Sequence, residues 1–320
     1  MMGIIQTFMV CFVLSAGAGM FSKLSNELVI GPIEKMIAKV NNISKDPLKA
    51  ANEEEERVLL EEYEQQDNPD DGVLKKLRQD KKDDSKKQAQ VMETLMIEQT
   101  LYKIGGLLAL VYGEAGSRII AKNMEGSKSN EINPMLPGEK SMFIFGFCDI
   151  RNFTDSTEVL EEGVMLFVNE IGDIVHTIVN SYSGAANKNV GDAFLLVWKF
   201  HKDDILHNPL TDELQIIKSN RVAQLADMSF VSFLLLISGI KKSRKLLKYK
   251  NHEGLNKRMP GYEVSLGLGM HLGYAIEGPI GSYYKIDPTY LSANVRMCER
   301  MECATKHFAV PIMITGDLYD

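Results

Sequence analysis

MFIFGFCDIRNFTDSTEVLEEGVMLFVNEIGDIVHTIVNSYSGAANKNVGDAFLLVWKF, residues 142–200, decides how this chain is read. An apolar run from Met142 to Cys148 ends on Asp149. A short apolar run bounded by polar residues predicts a buried strand. Apolar residues then recur at helical spacing from Val159 to Val179, which predicts a helix. A turn containing Gly191 delivers a second acid, Asp192, and the run Ala193 to Trp198 predicts another buried strand. Each carboxylate therefore stands at the edge of a strand core. An acid in that setting is exposed, paired or bound to a metal. Two such acids that converge supply the oxygen ligands that hard divalent cations want.

The chain has 320 residues, enough for one or two domains. With 45% apolar and 25% charged residues it has the composition of an ordinary globular protein. A net charge of −7 argues against broad nucleic-acid binding, though not against one nucleotide carried with a metal ion. The four cysteines, Cys11, Cys148, Cys298 and Cys303, form no CxxC pair and read as reduced and intracellular. Gly267 and Gly269 do not complete a GxGxxG pattern, because position 272 is Leu272, so a dinucleotide-binding reading fails.

Four regions follow in order. Residues 1–22 hold an uncharged apolar run, Ile4 to Phe21, near the lower length limit for a membrane-spanning helix. A secretory signal would carry a basic segment before that run, and none is present. Lys23 follows it, which favours a cytoplasmic side for what comes after. Residues 23–91 begin with a helix start at Pro32 and continue into a charged, apolar-poor linker from Asn52 to Lys87. Residues 92–139 restore helical periodicity up to Met124 and end in a Pro- and Gly-containing loop. Residues 140–320 form the folded domain. Within it we expect a core helix from Ala223 to Ile240 and two strands between Tyr262 and Ile276, joined by a turn at His271 to Gly273. A strand from Tyr284 to Leu291, a helix from Ser292 to Thr305 and a strand from Ala309 to Thr315 complete it. His176 and His271 are read as structural, with no ligand role.

The segments FGFCDIRNFTDSTEVL (145–160), AANKNVGDAFLLVW (185–198), GMHLGYAIEGPIGS (269–282) and KIDPTYLSANVRMCERMECATK (285–306) resemble the catalytic domain of class III nucleotidyl cyclases. The likeness is greatest to membrane-bound adenylyl cyclases of single-celled eukaryotes and covers about Leu95 to Asp320. It implies an α+β, ferredoxin-like palm: an antiparallel sheet with flanking helices. It also implies a head-to-tail homodimer or heterodimer, with each site built between two chains, and a membrane-anchored protein whose catalytic domain is cytoplasmic.

Carried over position by position, the resemblance makes Asp149 and Asp192 the ligands of two divalent cations, Mg²⁺ or Mn²⁺, with the carbonyl of Ile150 as a further ligand. Lys188 and Thr289 match the two purine-reading positions. A lysine there suits ATP, because a cation donates to adenine N1, whereas guanine N1–H needs an acceptor. Arg300 matches the arginine that stabilises charge on the reacting phosphate. The backbone N–H groups of Asn152, Phe153 and Thr154, at a helix start, are placed to cradle the outer phosphates. The implied reaction is in-line attack of the ribose 3′-OH on the α-phosphate, giving cyclic AMP and pyrophosphate.

Two departures stand out. Four residues before Arg300 the family carries an asparagine that orients the ribose, and this chain has Arg296. Glu299 replaces a small residue beside Arg300. An alternative reading is therefore an impaired cyclase-like subunit that lends its metal half-site to a partner. The family's last strands, with a triphosphate-binding lysine, would lie beyond Asp320, so the chain is read as shortened at that end.

Overall fold

A computed structural model describes residues 2–26, scattered positions between 30 and 38 and between 96 and 116, and residues 136–320 except 283. The charged linker from Asn52 to Lys87 and most of the region from 92 to 139 lie outside the described residues. The chain divides into two compact units, one made mainly of the residues before 131 and one of the remainder.

In the first unit, α1 (Met2–Ser25) contains the expected apolar run. From Met9 to Lys23 its side chains are exposed, including Phe12 and Phe21, and Lys23 is its charged residue in the last turn.

The second unit opens with β1 (Glu139–Ile150), the middle strand of its main sheet. Two helices follow, α2 (Phe153–Leu160) and α3 (Val164–Ser181). The single periodic segment expected from Val159 is thus interrupted, because Glu161–Gly163 form a 3-10 turn and Glu161 has a positive φ. Next come the hairpin β2 (Ala185–Val190) and β3 (Ala193–Lys199) and a small separate hairpin, β4 (Ile205–Asn208) and β5 (Glu213–Ile216). Three helices lead back to the sheet: α4 (Asn220–Lys242), α5 (Leu247–Lys250) and α6 (Glu253–Arg258). The chain ends with β6 (Leu266–Ser282), β7 (Lys285–Leu291), α7 (Ala293–Phe308), β8 (Ile312–Ile314) and α8 (Gly316–Tyr319).

The sheet runs β2-β3-β1-β6-β7, all antiparallel, with β8 added parallel to β6. This is the expected α+β palm. One expectation fails: β6 is a single strand through His271 to Gly273. There Phe145 faces His271 and Phe143 faces Gly273 in continuous register with β1. The 12-residue pairing with β1 overrides the local turn signal of His271 to Gly273.

Alternation along β1 explains the two cores. Ile144, Cys148 and Ile150 point to one face and pack with Phe167, Ile171, Val175 and Val179, a stripe four residues apart on α3. Phe233, Leu236 and Ile240 of α4 close that core. Among the described residues, α4 is the helix long and apolar enough to cross a membrane, yet this face of it is core. Phe143 and Phe145 point the other way, to Leu195, Val197, Tyr290 and Cys298. Helix α7 sits close on that face, because Gly269 of β6 leaves room: a Cβ there would run into the backbone of Cys298 and Glu302.

Candidate active site

The two acids meet because of the sheet register. Asp149, near the end of β1, lies opposite Ala193, the first residue of β3. The tight turn before β3 needs a left-handed residue, and Gly191 supplies it with φ +65°. That turn sets Asp192 beside Asp149 and is pinned by the Ile150 N–H donating to the Asp192 carbonyl at 3.1 Å. Partial burial, reinforced by the charge on Asp149, raises the pKa of Asp192 above the usual carboxylate range. Asp149 is itself largely buried, its side chain 15% exposed.

Cations from α7 and the β1 end surround the pair. Lys306 Nζ donates to Asp149 Oδ2 at 2.9 Å, and this bond pushes the pKa of Lys306 up. Arg151 lies 3.8 Å from the same oxygen and donates to Glu302 Oε1 at 2.6 Å and to Thr305. Glu302, Thr305 and Lys306 share a helix face at spacings of three and four residues. Burial, aided by Asp149, raises the pKa of Glu302. Two adjacent carboxylates suit a hard divalent cation. No third His, Cys, Asp or Glu joins them in a metal-holding group among the described residues.

A second cluster forms around Lys188 on β2. Its ammonium donates to Asp287 Oδ2 at 2.7 Å and to Thr289 Oγ1 at 3.0 Å, both on β7. β2 and β7 are opposite ends of the five-strand path, yet they meet because β7 lies back over the sheet face, with Tyr290 packed on Phe143 and Phe145. β7 pairs only with the last part of β6, Ile276 to Ser282, and this ribbon reaches Lys188. No hydrogen bond or ion pair links this cluster to the Asp149 cluster among the described residues.

Asn152, the residue before α2, adopts a left-handed conformation (φ 56°), which asparagine tolerates better than most residues. Its carbonyl accepts from the Ser156 N–H and hydroxyl, so the first helical turn is formed, and the earliest N–H groups of a helix have no partner within it. Arg296 and Arg300 lie exposed on α7 and form no ion pair among the described residues. Glu302 is committed to Arg151 and so is no partner for Arg300. Asn294, two residues before Arg296, cannot replace the missing asparagine. Its amide spans His271 Nε2 at 3.0 Å and the Tyr274 carbonyl at 2.8 Å.

Sequence reasoning missed Asp287, Arg151, Glu302 and Lys306. Asp287 had a signal, since it stands two residues before Thr289 and shares its face on a strand. The other three had none, because their meeting depends on how α7 crosses β1.

Comparison with known proteins bears on this arrangement. A family model described as "RasGEFs all helical domain" matches residues 1–125, where the described residues are helical. An adenylate cyclase of Anabaena cylindrica is 23% identical over 171 residues, 53% of this chain and 28% of that protein. "Adenylate cyclase, terminal-differentiation specific" of Dictyostelium discoideum is 28% identical over 179 residues, 55% of this chain and 7% of that protein. The chain therefore spans well under half the length of either relative. Two structures of a bacterial light-regulated adenylyl cyclase superimpose with TM-scores of 0.51 and 0.53 at 22% identity, covering 72% and 75% of this chain and 56% and 59% of theirs.

Proposed function

We propose that this chain, with residues 140–320 as a catalytic domain of the class III nucleotidyl cyclase type, makes cyclic AMP and pyrophosphate from ATP. The observation that carries the reading is the pairing of Asp149 and Asp192 across the Gly191 turn, at the end of the sheet's middle strand. Asp149, Asp192 and the Ile150 carbonyl would hold the divalent cations. Once bound, these supply acidification of the ribose 3′-OH and neutralisation of phosphate charge.

The remaining work falls to the chain's own groups. Lys188 donates to adenine N1, with Thr289 beside it. Arg300, exposed and unpaired among the described residues, is free to contribute charge-assisted hydrogen bonds to phosphate oxygens. The N–H groups of Asn152, Phe153 and Thr154, at the start of α2, receive the outer phosphates. As the resemblance implies, the complete site would be assembled from two chains, each lending one half. The apolar helix α1 would anchor the protein in a membrane with residues 140–320 on the cytoplasmic side.

The test is cyclic AMP formation by the full-length protein with ATP and Mn²⁺. We expect turnover in the wild type and loss of at least about 10³-fold in Asp149→Ala, with the fold retained. Equal turnover in the two would end the metal reading. Arg296 favours a second reading, a subunit that needs a partner for ribose orientation. In that case the wild type is silent alone, Arg296→Asn restores turnover, and Asp149→Ala added to Arg296→Asn removes it again.

A further inference from the structure

We infer that the outer face of α4, together with the basic segment that follows it, is a docking surface for an anionic lipid bilayer. The inference uses neither the cyclase reading nor anchoring by α1.

Helix α4 is apolar on two sides. Phe233, Leu236 and Ile240 enter the core. Val231, Leu234 and Leu235 do not: they are 38, 46 and 37% exposed, and their spacing puts them on one outward face. A helix that only covers a core carries polar side chains on its outer side. Three branched apolar side chains within about one turn form a patch instead, and such patches mark surfaces that meet a partner or a lipid phase. Two turns further along the same face come Lys241 and Lys242, both exposed. The segment from Lys241 to Lys250 carries six cations and no acid, in a chain whose net charge is −7. Lys245 pairs with Asp173, Lys248 with Glu170 and Lys250 with Glu263. Lys241, Lys242 and Arg244 form no ion pair or hydrogen bond among the described residues. Leu247, 47% exposed, stands among them.

The helix dipole accounts for two cations in the last turn of α4, but not for Arg244 or the apolar patch. A bilayer surface accounts for all of them. Leucine and valine side chains enter the boundary of the acyl chains while ammonium and guanidinium groups reach the headgroup phosphates. Spanning is excluded, because the opposite side of α4 is core. A polyanion without an apolar phase would leave Val231, Leu234 and Leu235 in water. A second copy of the chain, packed on the same face, would bring one acid, Asp227, to three cations. Three unpaired cations favour the docked state on an anionic surface by about 10²-fold, and salt screens this attraction. The contact therefore orients a folded domain on a membrane and depends on the lipid charge.

The experiment mixes full-length protein with vesicles of phosphatidylcholine alone, or of phosphatidylcholine and phosphatidylserine in equal parts. Acetylation of each lysine is then followed by mass spectrometry. Binding of the whole protein to both vesicles through α1 leaves the contrast readable, because lysines of one chain are compared with each other. On the anionic vesicles Lys241 and Lys242 should react at least about fivefold more slowly than on the neutral ones. The exposed Lys202 and Lys218, on other elements, should change less than about twofold, and high salt should remove the difference. Leu234→Ser combined with Leu235→Ser alters only exposed side chains and keeps both reporter lysines, so it should cut the protection to below about twofold. Arg244→Glu should weaken it as well. Circular dichroism confirms that each variant keeps its helices. The inference is overturned if Lys241 and Lys242 react alike on the two vesicle types, or if the leucine variant keeps full protection. Protection that appears without vesicles and grows with protein concentration also overturns it, since a second copy then covers the face. Turnover is not read, so loss of the cyclase reading leaves the result unchanged.

Discussion

Lys306 illustrates how one residue can govern a site it does not belong to. Its ammonium rests on Asp149 Oδ2 at 2.9 Å, where a divalent cation would be held. A resident positive charge competes with an entering one through space. Lys306→Met should therefore tighten Mn²⁺ binding about tenfold, read by electron paramagnetic resonance titration of free Mn²⁺. Unchanged or weaker binding would argue that the ion pair merely decorates the surface. His176 offers a second check. Burial lowers its pKa below the ordinary value, while its bond to Asn189 at 3.2 Å opposes the shift. The unfolded chain then binds the proton more readily than the folded one. Stability is complete above the unfolded histidine value and is lost as pH falls through it. NMR titration should place His176 below ordinary histidines, and His176→Gln should flatten the loss of stability between neutral and mildly acidic pH.

At the scale of elements, the β2–β3 hairpin matters most. Gly191 adopts φ +65° with open space around it, so strain and not crowding opposes a side chain there. Gly191→Val should cost about 1–2 kcal/mol in a urea unfolding midpoint, the penalty of a left-handed branched residue. It should also weaken metal binding by moving Asp192 away from Asp149. A variant as stable as the wild type would show that the turn relaxes without strain. The strands β1 and β3 and the helix stripes were legible in the sequence because each buries a periodic apolar face. The continuous β6 was not, since His271 and Gly273 resemble a turn and only pairing with β1 keeps them extended. The break at Glu161 was hidden for the same kind of reason, because apolar spacing continues across it.

For the whole molecule, the decisive question is how many chains make one site. If the metal half and the phosphate half come from different chains, Asp149→Ala and Arg300→Ala are each inactive but complement one another. Equal mixing with subunit exchange should restore about a quarter of wild-type cyclic AMP formation, since half the dimers are mixed and each has one intact site. No recovery on mixing, with exchange shown by differently tagged chains, would place the whole site within one chain. In either case Asp149 and Asp192 remain adjacent, because their meeting depends only on pairing within the sheet.

Family resemblance marked Lys188, Thr289 and Arg296; the sequence by itself determined β1, β3, the apolar helix stripes and the two acids at strand ends. Those features lie in local pattern: apolar period, a glycine turn and acids at strand ends. Only the tertiary structure decided that Lys306 and Arg151 crowd Asp149, that Glu302 is unavailable to Arg300, that Asn294 is spent on His271 and Tyr274, and that Asp287 grips Lys188. Apart from Arg151 and Asp149, which are near neighbours along the chain, each of these joins residues about 20 to 160 positions apart. Such contacts are set by how the β6–β7 ribbon and helix α7 pack over the sheet, and no short-range pattern encodes that packing.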